Sequence, residues 1–275
     1  MSTALVANHG IPEEDIALIK RSKHHLDDVT YSMKVLGTLG TPIDTGLLML
    51  PEKYQGQIHL AIQKALRLAL KANLHTLQKG KIKKAPSNLI YKMVTGASGA
   101  TGGFFGVAGF SVDLLLSTKF MMRSIMDIAR SQGEDIFDEK VQLACLQVFA
   151  LGGNSKEDDA LDTAYYATRS ALQTAMNQAS TFVGKHGTEK VLEAIASQTA
   201  TPIAKLIGKV AARYSIQVSE KFALQAIPVV GAAAGASLNL LFTTHFQKIA
   251  TAHFTIRRLE REYGQKRIRE IYERV

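Results

Sequence analysis

A single cysteine (Cys145), no tryptophan and six prolines stand among the 275 residues. One thiol excludes an intrachain disulfide and a cysteine-based zinc site, which fits a reducing compartment. Few prolines and few runs of β-branched residues leave almost no strand signal. The motifs of several chemistries are also missing. There is no His-Glu-x-x-His for a metallopeptidase and no Gly-x-Ser-x-Gly elbow for a serine hydrolase. The first ten residues, Met1 to Gly10, lack the basic start and apolar stretch of a secretory leader, so cytosolic exposure is expected.

What is present is helix-forming material. Ala, Leu, Lys, Gln and Glu dominate, 46% of the residues are hydrophobic, and the class this composition predicts is all-α. A formal charge of +9 suits an anionic partner, whether nucleic acid, lipid head groups or an acidic protein. The basic residues form no recognition helix with interleaved aromatics, since Arg257, Arg258 and Arg261 alternate with Glu260 and Glu262. Anionic lipid fits better, because Lys81, Lys83 and Lys84 flank one long apolar stretch and the arginines from Arg257 flank another.

Those two stretches, Thr95 to Arg130 and Ile227 to Arg258, are the strongest organising signal. Ser111 to Phe120 (SVDLLLSTKF) aligns nearly letter for letter with Ser237 to Phe246 (SLNLLFTTHF), which reads as an internal repeat. Gly99, Gly102, Gly103 and Gly106 precede the first block and Gly231 and Gly235 the second, with four-residue spacings that strip side chains from one stripe of a helix. That pattern lets two backbones approach closely, so the glycines are assigned to helix-pair packing. Both stretches come near the roughly 20 apolar residues a spanning helix needs. Asp113 in the first, and Pro228, Asn239 and several hydroxyls in the second, offset the gain from Leu, Ile, Phe and Val. A buried or surface-inserting helix pair is therefore expected rather than a span.

Elsewhere the period is helical. A helix opens at Ile11-Pro12-Glu13-Glu14-Asp15, and Gly37 to Gly56 reads as a connector. From Glu52 to Gln78, Ile58, Ile62, Leu66, Ala69, Leu70, Leu74 and Leu77 recur every three or four positions as one buried face. A helix between Asp135 and Leu151 carries Cys145 as a small core residue. Ser155-Lys156-Glu157-Asp158 matches a capping box, which accounts for the nearby acids without a metal, and no metal site is expected. Shorter helices are predicted near Thr188 to Gln198 and Pro202 to Arg213, followed by Ser215 to Ala226. A charged helix ends at Gly264 and a short one closes the chain.

Gly96 to Gly103 would suit a phosphate cradle, yet it lacks the Gly-Lys-Ser/Thr ending, no strand precedes it, and no cofactor is expected. Asp113 lies inside an apolar run and either faces water at the helix flank or has a buried partner, for which Lys119, Arg123 or a glycine-freed N–H are candidates. If the chain is an enzyme, Asp113, His245 and His253 are the groups to suspect, the carboxylate orienting a histidine across the paired helices.

The segment Ala226-Ile227-Pro228-Val229-Val230-Gly231-Ala232-Ala233 together with His253-Phe254-Thr255-Ile256-Arg257-Arg258-Leu259-Glu260-Arg261-Glu262-Tyr263-Gly264 resembles the EcsC family of bacterial proteins. Val148 to Gly153, Tyr165-Tyr166-Ala167-Thr168-Arg169 and the glycine-rich unit ending at Asp113-Leu114 extend the likeness over most of the chain from about Pro51. The resemblance implies a helical, membrane-associated accessory or scaffold protein on the inner face of the membrane, with a membrane transporter as a candidate partner. It transfers no catalytic residues. The alternatives are a membrane-bound hydrolase or peptidase and a lipid- or acyl-binding helical module. The expected organisation is an N-terminal helix and connector over residues 1–50, an EcsC-like helical domain over 51–264 and a short helix over 265–275.

Overall fold

The structure, a computed structural model, describes residues 10–27, 52–78, 106–151, 164–197, 200–226 and 228–275. Among them are eight helices and no strand: α1 (Glu13–Leu26), α2 (Glu52–Gln78), α3 (Gly106–Ser131), α4 (Glu139–Leu151), α5 (Ala164–Ser197), α6 (Pro202–Ala226), α7 (Pro228–Tyr263) and α8 (Gln265–Arg274). The protein is all-α, as its composition predicts.

Helix α4 is the centre. Every residue from Val141 to Leu151 is buried, so it has no polar face, and it touches α2, α3, α5, α6 and α7. Its start is set by Asp138, whose Oδ1 accepts the Lys140 N–H at 2.8 Å. Cys145 is fully buried in this helix, and burial pushes its thiol pKa far up. It is therefore a core residue with almost no thiolate at neutral pH.

Around α4 the other helices bury the faces their periodicity defines. In α2 these are Ile58, Ile62, Leu66, Ala69, Leu70 and Leu74, packed chiefly against α3 and α6. Helix α3 packs on α7, and the contact includes Asp113 and Asn239. Helix α5 is broken at Gly187, whose φ of 69° any L side chain would resist. Gly264, at φ 91°, turns α7 into α8.

One expectation is corrected. Pro202 to Arg213 and Ser215 to Ala226 are not separate helices but the single helix α6. The segment around Tyr214 contains no glycine or proline to break it, and Tyr214 is fully buried. The Ser215 hydroxyl donates back to the Ala211 carbonyl at 2.8 Å, which keeps it from competing with the helix.

Helix α1, placed by sequence in a separate N-terminal segment, docks on α7 and α8. Ile19 is fully buried, Lys23 Nζ donates to the Tyr272 carbonyl at 2.9 Å, and the Tyr263 hydroxyl donates to Asp15 at 2.6 Å. Residues 37–51 of the connector, the capping box at Ser155, and Gly99, Gly102, Gly103, Lys81, Lys83 and Lys84 lie outside the described residues, whereas Glu52 to Gly56, read as the end of the connector, form the start of α2. Among the described residues no helix is long and apolar enough to cross a membrane.

Candidate functional site

The first polar feature lies between the two glycine-rich helices. Asp113 on α3 accepts from Lys221 Nζ of α6 at 2.7 Å and from Asn239 Nδ2 of α7 at 2.6 Å. The side chains of Asp113 and Lys221 are both fully buried. Lys221 also sits over the Phe110 and Phe242 rings, at 5.7 and 4.9 Å from their centroids. Burial pushes the Lys221 pKa down, against the charge and hydrogen bond of Asp113, which hold it up. Nearby, the Thr118 and Tyr214 hydroxyls share a hydrogen bond at 3.2 Å, and Gln247 Nε2 donates to Ser124 Oγ at 2.8 Å. Polar contacts of this kind tie α3 to α6 and α7 at fixed rotations, because an unmatched charge here would be very costly.

A second cluster gathers near the far end of α7. Arg169 of α5 forms a two-pronged pair with Glu260, at 2.7 and 2.9 Å. Its Nη1 also donates to the Tyr165 oxygen at 3.1 Å, and the Tyr165 hydroxyl shares a hydrogen bond with His253 Nδ1, 3.0 Å away. Burial first, then the charges of Arg169 and Arg257, hold the His253 pKa well below its usual range. The imidazole is neutral at physiological pH.

The third feature is a clamp built by a helix end. At the C-terminus of α3 the Gly133 N–H bonds to the Arg130 carbonyl and the Glu134 N–H to the Ala129 carbonyl, the double bond of a Schellman motif. Gly133 takes φ 78° to make it. This turn delivers Glu134 to Arg257 at 2.8 Å and to Arg261. Burial alone would raise the Glu134 pKa, but the Arg257 hydrogen bond and the charges of both arginines outweigh it and lower it.

The sequence candidates thus fall in different places. Asp113 belongs to the buried triad, whereas His253 lies 14 residues beyond Asn239 on α7, about 21 Å along the axis. The carboxylate of Asp113 and the imidazole of His253 are not brought together. His245 is buried beside the Phe246 ring. Of the basic residues, Arg257 and Arg261 are tied to Glu134, and Arg258 is half-buried on another side of α7. Gly106, Gly231 and Gly235 lie in the first turns of α3 and α7. Among the described residues no group of three or more His, Cys, Asp or Glu side chains is arranged to hold a metal.

Two features were not singled out from sequence. One is Lys221, an apparently ordinary lysine until α6 is packed. The other is the outer face of α2, where Leu60 and Leu68 are 68% and 45% exposed and stand among Lys64, Arg67 and Lys71. A groove of about 510 Å³ runs along this face to Ile195 and Ala196 at the end of α5. Neither the groove lining nor the ion pairs among the described residues bring a carboxylate to those three cations.

No curated protein and no solved structure matches the chain. Residues 19–259, from within α1 to the last turns of α7, match the sequence model of the EcsC protein family. The match therefore takes in the buried triad, Arg169 and the face of α2, stopping one residue short of Glu260, and the chain belongs to the EcsC protein family.

Proposed function

We propose that the protein is a helical accessory protein that attaches peripherally to an anionic membrane surface through the outer face of α2. The carrying observation is the interleaving of exposed leucines with cations that meet no carboxylate among the described residues, on one side of that helix: Leu60, Lys64, Arg67, Leu68 and Lys71. Two large apolar side chains held in water are unfavourable, and basic residues among them repel a partner of like charge. An interface of acyl chains and anionic head groups satisfies both. In the sequence the basic run Lys79 to Lys84 follows directly, adding Lys81, Lys83 and Lys84 to the same charge. Such a protein works by bringing its folded body to the inner face of the membrane, beside a transporter or another envelope component.

Flotation of the full chain with vesicles tests this. Binding is expected to phosphatidylglycerol-containing vesicles and not to neutral ones, and to weaken with salt. Near the surface each Lys or Arg is worth about 1 kcal/mol, so Lys64→Gln with Lys71→Gln should weaken binding by roughly thirtyfold. Leu60→Ser with Leu68→Ser should weaken it as well. Equal binding to neutral and anionic vesicles, or variants that bind like the parent, would sink the reading.

A further inference from the structure

A separate cleft of about 380 Å³ lies between α1 and α7 and reaches Gln132 at the end of α3. Its lining carries four basic residues, Arg21, His25, Lys248 and Arg258, and not one carboxylate. By contrast, Arg169, Arg257, Arg261 and Arg269 each meet a glutamate. Among the described residues Arg21, Lys248 and Arg258 have no such partner. The Nε of Arg258 is moreover shut off from solvent without an acceptor. A guanidinium N–H that has lost water and found no oxygen is costly, and an anion in the cleft would satisfy it.

The uncharged lining narrows the ligand. The Thr251 hydroxyl donates to the Gln247 carbonyl at 2.8 Å and the Thr244 hydroxyl to the Leu240 carbonyl at 2.7 Å. Their protons are thus committed to the helix backbone. What each retains for the cleft is an acceptor lone pair, which suits a ligand that donates from hydroxyls of its own. Ser22 from α1 and Thr255 from α7 add two further hydroxyls to the lining. The volume falls within the range of small-molecule sites and is far larger than a bare ion needs.

We propose that this cleft binds a small phosphate ester with free hydroxyls, its phosphate on Arg21, Lys248 and Arg258 and its hydroxyls on the threonine oxygens. A soluble polyol phosphate and the head group of a glycerol-bearing phospholipid share that chemistry. The site stands apart from the α2 face, so either assignment can fail without the other.

Isothermal titration of the full chain decides it, with glycerol 3-phosphate, inorganic phosphate and glycerol as probes. Saturable one-to-one binding of glycerol 3-phosphate is expected, tighter than inorganic phosphate by about tenfold, with glycerol binding negligible. Arg258→Gln should weaken it by about tenfold or more. Because Arg258 is half-buried, Lys248→Gln, at an exposed position, serves as the second variant and should also weaken binding while melting like the parent. Lys64→Gln with Lys71→Gln should leave it unchanged. Dihexanoyl phosphatidylglycerol, below its micellar concentration, distinguishes the sources: competition identifies a lipid head group, and its absence a soluble ester. No saturable binding of glycerol 3-phosphate, equal affinity for inorganic phosphate, or binding unaffected by both Arg258→Gln and Lys248→Gln would overturn the proposal.

Discussion

Asp113 and Asn239, which occupy matching positions in the two glycine-rich units, are hydrogen-bonded to each other at 2.6 Å across the contact between α3 and α7. The acid of one unit has its counterpart in the other as a partner, and Lys221 supplies the compensating charge from α6. Three helices are joined at one buried point.

Removing one member of this cluster should be far worse than removing the charges together. Lys221→Met leaves a fully buried carboxylate and should cost about 3–5 kcal/mol, whereas Lys221→Met with Asp113→Leu and Asn239→Leu should recover most of that loss. Urea unfolding of the single and triple variants measures the difference. A triple variant no more stable than Lys221→Met would show that the polar network, and not charge compensation, holds the helices.

The neutral His253 makes stability depend on acid. Its folded pKa lies well below the unfolded value of about 6.5, so the unfolded chain takes up a proton that the folded chain refuses. The contribution is full above about pH 6.5 and is lost progressively as the pH falls toward the folded pKa, by at most about 1.4 kcal/mol per pH unit. Melting temperature followed from pH 7.5 to 5 should fall, and His253→Gln should flatten that profile. Parallel profiles would assign the acid sensitivity to other groups.

Much of the fold was legible because it rests on local periodicity. The bounds of α2 follow from Ile58, Ile62, Leu66 and Leu70, and Cys145 reads as core from the apolar run around it. The repeat set Asp113 and Asn239 at matching positions, but the partners expected for the carboxylate are Lys119, Arg123 or a backbone N–H, and the structure gives it Lys221 and Asn239 instead. Nor did the repeat show that matched positions differ in burial: Leu116 is 42% exposed while its counterpart Phe242 is fully buried, packed against Tyr214 and Phe246. Lys221 was illegible for another reason. Its partner is 108 residues away, and Ser219-Glu220-Lys221 reads locally as a solvated helical turn. The α1–α7 cleft is similarly hidden, since Arg21 and Arg258 come from nearly opposite ends of the chain.

Gly264 should tolerate no side chain without strain. Open space surrounds the position where a Cβ would stand, but φ is 91°, so the cost is in the backbone and not in packing. Gly264→Ala should destabilise by about 1–3 kcal/mol, read as a lower urea midpoint, and loosen the seating of Ile268 and Tyr272 from α8. Amide exchange along α8 reports the second effect. An unchanged midpoint with unchanged exchange would mean that the turn relaxes to negative φ at no cost.

The arginines of α7 divide by what they touch, and their variants should divide the same way. Arg257 is held on Glu134 at 2.8 Å with Arg261 on the same carboxylate, so one of their two positive charges is already offset inside the protein. Arg257→Gln should therefore cost about 1–3 kcal/mol of stability, the loss of a charge-assisted hydrogen bond to a nearly buried acid. Its affinity for anionic vesicles should barely change at a temperature where it stays folded. Lys64→Gln with Lys71→Gln should do the reverse, leaving the melting temperature alone and weakening vesicle binding. Acid should reproduce the first effect: the folded Glu134 pKa is depressed, so the clamp is complete above the ordinary glutamate value of about 4.3 and is lost as the pH drops through the lower folded value. Flotation and thermal melting of both variants give the four readings required. Loss of vesicle binding in Arg257→Gln without loss of stability would place the lipid contact on α7 and remove it from α2.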